Sequence, residues 1–314
     1  MDVVFEVVVP LFGLLVCGYG VARTRLLGPE GIQGIANFVF YCAIPALLFR
    51  GLAAGTMPAK IDFGVVYAFF LGCLVVFAAT MLVARLANRA MLAEQALAGV
   101  TVSFGNVVLL GIPLVYVAFG ERGVLPVTLI SSFHSVILLT LATILVESAH
   151  GPRAGNFPRA AKATLGALAT NPIIVAIVAG FLWRVLDLPL PVPAKSFLTL
   201  LSGAAAPCAL FSLGATLTTF RIGGDLRHVA AIATAKLAVL PLVVWLLATR
   251  LFDLEAVEAA VVTMLAALPT GVNPFILARK YGVYVERAAS AVVVTTALSV
   301  VTLALLLAYF TTNR

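Results

Sequence analysis

The chain has 314 residues, of which 62% are hydrophobic and 11% charged, against roughly 45–50% and about 25% in a soluble globular domain. With a mean hydropathy of +1.14, it lacks the polar surface a water-soluble fold needs to cover its core, so composition excludes a soluble domain and implies a polytopic membrane protein. The net charge of +7 is dispersed over short connections rather than gathered into a patch, which fits loops facing an anionic leaflet and leaves no footprint for nucleic acid.

Apolar stretches long enough to span a bilayer predict ten helices, at about 3–22, 31–52, 63–85, 95–119, 123–147, 166–186, 194–218, 228–250, 256–279 and 287–311. No basic region precedes the first stretch, so it reads as a span rather than a cleaved signal, with Asp2 and Glu6 as unusual flanks. The longest connection, 148–165, carries Gly151, Pro152, Gly155 and Pro158 among basic residues and divides the chain into 1–147 and 166–314, each with five spans. Ten spans place both termini on one side. Seven basic residues flank spans on that side and twelve on the other, with Lys236 inside a span. The richer side should be cytoplasmic and both termini extracytoplasmic. Trp183, Trp245, Tyr281 and Tyr309 lie towards span ends and read as interfacial anchors. Cys17, Cys42, Cys73 and Cys208 lie in apolar stretches with no C-x-x-C or His–Cys cluster, so they read as small core hydrophobes, with no zinc site or disulfide framework.

Five spans per half is an odd number, so consecutive copies of a repeat must insert in opposite orientations. Pro10 and Pro172 are 162 positions apart, as are Pro45 and Pro207. The corresponding fourth and ninth spans are both interrupted near their centres, by Gly111-Ile112-Pro113 and by Pro269-Thr270-Gly271-Val272-Asn273-Pro274. Paired interruptions of this kind are the best pointer in a sequence to a transporter's substrate site.

Proline has no N–H to give its helix, so Pro113 and Pro274 should each end one half-helix and open a second, with Asn273 at an N-cap. Breaks survive in hydrocarbon only where they are buried in protein or line a wet cavity. The free N–H groups of the second half-helices, worth about half a positive charge each, then suit an anion such as a carboxylate without a buried Lys or Arg. Asn106 and Asn273 offer amide donors and are the first-choice ligands, with Gly111, Ile112, Pro113, Pro269, Thr270, Gly271 and Pro274 forming the walls. A lone proline such as Pro45 or Pro241 reads as a kink. Glu6, His134 and Lys236 are the titratable groups placed to couple transport to protons, each with a plainer reading as an interfacial, hydrogen-bonded or snorkelling side chain.

The segments Phe104-Gly105-Asn106-Val107-Val108-Leu109-Leu110-Gly111-Ile112-Pro113-Leu114 and Leu268-Pro269-Thr270-Gly271-Val272-Asn273-Pro274-Phe275-Ile276-Leu277-Ala278 resemble the two crossover segments of the auxin efflux carrier family, and the likeness extends over nearly the whole chain. The resemblance implies an all-α fold of ten transmembrane helices in two inverted five-helix repeats, with broken helices four and nine crossing. It further implies a scaffold of spans one, two, six and seven that forms a homodimer, and a transport domain of spans three to five and eight to ten that moves like an elevator. An organic-anion substrate such as malonate, and a place in a bacterial inner membrane, follow from the same likeness. Val107-Val108 departs from the small or polar pair of many relatives and makes that side of the pocket bulkier.

The leading expectation is therefore a secondary transporter of a small mono- or dicarboxylate, needing no cofactor beyond a possible coupling ion, H+ or Na+. Carbonyls around Gly111 and Gly271 would supply sodium ligands, as in the related bile-acid carriers. A sodium-coupled bile-acid-type carrier of a larger anion, or a channel or sensor using the same pocket, are the alternatives. The sequence has neither H-E-x-x-H nor G-x-S-x-G and only three His, so an enzyme is not expected.

Overall fold

The structure, a computed structural model, describes residues 2–24, 26–54, 61–149, 170–220, 222–223 and 225–312. The 148–165 connection lies outside the described residues from position 150 onward. All regular structure among the described residues is helical, apart from one isolated two-residue bridge. Each predicted apolar stretch is helical over most of its described length. By length and composition six helical stretches suffice to cross a membrane, and Val8–Arg23, Pro172–Val185 and Ala256–Ala266 are shorter apolar helices.

We number the helices α1 (Asp2–Arg23), α2 (Pro29–Ala54), α3 (Gly64–Asn88), α4 (Leu92–Ser103), α5 (Ile112–Phe119) and α6 (Val124–Ala149). After the undescribed connection follow α7 (Pro172–Val185), α8 (Val192–Gly203), α9 (Ala205–Leu217), and α10, which opens at Leu226–Thr234 and runs on to Leu251. The last three are α11 (Ala256–Ala266), α12 (Asn273–Tyr281) and α13 (Val285–Thr312). Local chemistry sets several boundaries. Asn171 caps α7 by accepting from the Ile173 N–H at 2.9 Å with Pro172 behind it, and Asp225 caps α10 by accepting from Arg227 at 3.0 Å. Gly282, at φ +68°, ends α12 in the left-handed conformation that glycine adopts without strain.

Three of the internal prolines share one solution, whereas Pro10 lies within α1 with no π turn before it. Pro45, Pro113 and Pro241 each lie two residues past a π turn, at Val39–Ala43, Val107–Gly111 and Ala235–Val239 respectively. A proline ring pushes away the carbonyl four residues back, and the wider π turn absorbs that displacement without ending the helix.

The described chain divides into two compact units. The first comprises the described parts of 1–61, 108–132 and 158–219. Its helices approach each other through glycine. A Cβ on Gly18 of α1 would run into the Phe211 carbonyl of α9, and one on Gly214 of α9 into the Leu15 carbonyl of α1. Gly180 of α7 lies against Phe49 of α2, where a Cβ would stand 3.0 Å from the carbonyl oxygen. Gly18 and Gly180 are 162 positions apart, and so are Phe49 and Phe211. Lipid tails supply no hydrophobic drive between helices, so small residues that let backbones meet closely provide the dispersion contact instead.

The second unit comprises 62–107, the described parts of 133–157, and the described parts of 220–314. Its interior holds Thr101, Ser103, Thr263, Thr270, Thr295, Thr296 and Ser299, all at most 2% exposed. Most return their hydroxyl proton to their own helix: Thr101 to Leu97, Thr263 to Ala259 and Thr295 to Ala291, at 2.6–2.7 Å.

The cysteines only partly match expectation. Cys73 is buried and Cys208 half-buried, but Cys17 and Cys42 are exposed. Both faces of a lipid-solvated helix are apolar, so an apolar neighbourhood in sequence does not distinguish core from outer surface.

Candidate functional site

In the second unit α4 stops at Ser103 and α11 at Ala266, each followed by a short non-helical stretch. The loosened chain ends meet. The Asn106 N–H donates to the Pro269 carbonyl at 2.9 Å and the Gly271 N–H to the Phe104 carbonyl at 3.0 Å, pairing Gly105 and Thr270 as an antiparallel bridge. In hydrocarbon each unpaired backbone group costs several kcal/mol, and here the two breaks satisfy each other.

Thr270 fastens the tie on both sides. Its hydroxyl donates to the Thr101 carbonyl at 2.9 Å, filling an acceptor left free by the end of α4, while its N–H donates to Thr295 Oγ1 of α13 at 3.0 Å. The last carbonyl of each helix is met by a side chain from a neighbouring helix. Cys73 of α3 lies 3.8 Å from the Ser103 carbonyl, and the Ser103 hydroxyl donates back to the Cys73 carbonyl at 3.0 Å. Lys236 of α10 donates from Nζ to the Ala266 carbonyl at 3.0 Å.

The tie leaves little room. A Cβ on Gly271 would lie 2.8 Å from Cδ1 of Phe104, and one on Gly105 would lie 3.3 Å from the Leu265 carbonyl oxygen and 3.4 Å from Lys236 Nζ. Phe104 in turn packs against the His134 ring, tilted by 42° with ring centroids 4.3 Å apart.

Asn106, Pro269, Thr270 and Gly271 are thus brought together, with Asn106 9% exposed and Thr270 1%. Asn273 and Pro274 follow as the first two residues of α12, Asn273 half-buried and Pro274 buried. Gly111, Ile112 and Pro113 are buried in the first unit.

Four sequence expectations need correction. The break in the fourth span lies at Phe104–Asn106 rather than at Gly111-Ile112-Pro113, because the π turn Val107–Gly111 absorbs Pro113 and the helix runs on through it. No unwound carbonyls are therefore available around Gly111. The N-cap of α12 is Val272, already helical at φ −72° and ψ −26°, so Asn273 is the first helical residue and does not cap. Lys236 does not snorkel: it is 0% exposed and bonds a backbone carbonyl, and among the described residues no carboxylate pairs with it.

His134 is 2% exposed, and its Nε2 has no hydrogen-bond partner among the described residues. Glu6 lies in α1, and its side chain is outside the described residues. The sequence assigned no role to Thr101 and Thr295, and placed Phe104 and Gly105 in the crossover segment without a role of their own. The available signal was a hydroxyl residue beside each break, too common in membrane helices to stand out.

The chain matches the family described as membrane transport protein over residues 3–307. It is 30% identical over 305 residues to a Rhizobium meliloti (strain 1021) protein named "Putative malonate transporter", covering 94% of this chain and 92% of that one. It is 26% identical over 306 residues to an uncharacterized transporter of Methanothermobacter thermautotrophicus, covering 96% of each, and 21% identical over 329 residues to auxin efflux carrier component 5 of Arabidopsis thaliana, covering 92% of each. These relatives are transporters rather than enzymes, and their alignments take in both segments of the tie. An apolar helical chain whose breaks pair through the backbone, matched along almost its whole length, belongs to the membrane transport protein family of the auxin efflux carriers.

Proposed function

We propose that the chain is a carrier of a small organic anion, a mono- or dicarboxylate of malonate-like size, bound beside the Phe104–Asn106 and Pro269–Gly271 tie. The tie itself carries this reading. It fixes two interrupted spans at one place, where Asn106, Asn273 and the N–H groups opening α12 supply donors without a fixed negative charge. The relative named for malonate, and the carriers named for auxin, support an anionic substrate.

The wider reading has ten spans in two inverted five-helix repeats, supported by the 162-residue spacing of Gly18 and Gly180 and of Phe49 and Phe211. Spans one, two, six and seven form a scaffold that dimerises, and spans three to five and eight to ten move past it as an elevator, with both termini extracytoplasmic. The interleaved composition of the two compact units supports that division, although residues 108–132 group with the first unit.

The test is thermal stabilisation of the purified protein against a panel of mono- and dicarboxylates. A ligand at 100 times its Kd adds about 2.7 kcal/mol, enough to move the melting temperature visibly. One carboxylate should stabilise the wild type, and Asn106→Ala and Asn273→Ala should each lose the response while remaining folded. Stabilisation by neutral or cationic compounds alone, or an unchanged response in both variants, would overturn the assignment.

A further inference from the structure

Lys236 is among the largest fully buried side chains of the described residues. Its position follows from the sequence around it. Pro241 is accommodated by the π turn Ala235–Val239, and that turn carries Lys236. Its Nζ donates to the carbonyl of Ala266, the last residue of α11, and would be 3.4 Å from a Cβ on Gly105 in the tie. Among the described residues no carboxylate pairs with it, and the titratable groups that face it are Cys73 and His134.

The helix ends around the ammonium explain why it is there. The carbonyl end of a helix carries about half a negative charge, and α11 and α4 both end at the tie. Backbone carbonyls at interrupted helices are what coordinate sodium in coupled carriers. The same arrangement occurs twice, with different chemistry. Cys73 precedes the Ser103 carbonyl it meets by 30 residues, and Lys236 precedes Ala266 by 30. Cys73 and Lys236 are 163 positions apart, as are Ser103 and Ala266. At one end the carbonyl meets an uncharged thiol, and at the other a covalently attached cation.

We infer that the Lys236 ammonium is a built-in counter-cation, filling the position at the carbonyl end of α11 where this tie would otherwise hold a free alkali cation, so that the chain carries its anion without sodium. The charge argument rests on the anion-carrier reading above. One ammonium neutralises a bound monocarboxylate and halves the charge of a bound dicarboxylate, which reduces the uncompensated charge exposed to a low-dielectric interior. For that first carboxylate a separate co-ion then has no role in neutralising the load.

The experiment measures melting of the purified protein in choline chloride as sodium or lithium chloride replaces it at constant ionic strength. The wild type should not respond. Lys236→Ala, which vacates the position, should melt lower in choline and recover saturably with sodium or lithium. Saturable stabilisation of the wild type by sodium, or a folded Lys236→Ala variant blind to both cations, overturns the proposal. These melts need no substrate, so they decide the cation question even if no carboxylate binds.

Lys236→Gln keeps a donor for the Ala266 carbonyl without the charge. It should melt as the wild type does and take up radiolabelled malonate into proteoliposomes at least tenfold more slowly. Should Lys236→Ala fail to fold in either salt, this variant decides: uptake at the wild-type rate overturns the proposal, and the tenfold loss with unchanged melting upholds it.

Discussion

The two half-helices that end at the tie, α4 and α11, solve one problem with different materials. Both leave carbonyls facing away from water, and both receive a side chain from the helix before them. At α4 the seal is a thiol contact backed by the Ser103 hydroxyl, a neutral and reciprocal arrangement between two main chains. At α11 it is a single ammonium. A neutral seal serves structure alone, whereas a charged one must also be balanced whenever the site fills or empties. The comparison separates the packing role of the tie from its electrostatic role.

The strongest way to break it is steric. Gly271→Ala forces a Cβ to within 2.8 Å of Phe104, whose ring already packs against His134. We expect a stability loss of about 1–3 kcal/mol and loss of uptake, read by melting and by proteoliposome transport. Thr270→Val removes the hydroxyl that fills the Thr101 carbonyl on the α4 side and leaves that acceptor unpaired. The expected cost is about 1–3 kcal/mol, and a change below the error of the melt would mean that carbonyl has another partner.

Ser103→Ala sharpens the comparison from the neutral side. It removes the bond to the Cys73 carbonyl and should cost about 1 kcal/mol, with no new response to sodium. A sodium response there would show that the two carbonyl ends are equivalent after all. The mildest change is Gly105→Ala, whose Cβ meets atoms only at 3.3–3.4 Å. It should cost less than Gly271→Ala, about 1 kcal/mol at most, and retain most uptake. Loss as large as for Gly271→Ala would remove the distinction between the two halves of the tie.

Much of the fold was legible because hydrocarbon imposes a long apolar run on each helix, and runs such as 63–85 and 287–311 became helices within a few residues of their predicted ends. The break in the ninth span was legible because Pro269, Gly271 and Pro274 crowd into six residues. Its counterpart was misplaced because Pro113 is conspicuous in sequence yet harmless in a helix preceded by a π turn, while Phe104-Gly105-Asn106 contains no proline. Lys236 was visible as an oddity, but not its partner. A backbone carbonyl 30 residues away leaves no mark on residue type, and neither does the exchange of N–H groups that joins the breaks.

That exchange uses main-chain atoms alone: two N–H groups and two carbonyls from Phe104, Asn106, Pro269 and Gly271. Every residue type has a carbonyl and all but proline have the N–H. Side chains lining the neighbourhood can therefore be replaced in evolution without dissolving the joint, provided the close approach at Gly271 is kept. Such a joint uncouples the persistence of an architecture from the choice of cargo, so new specificities can be sampled by single substitutions on an unchanged frame.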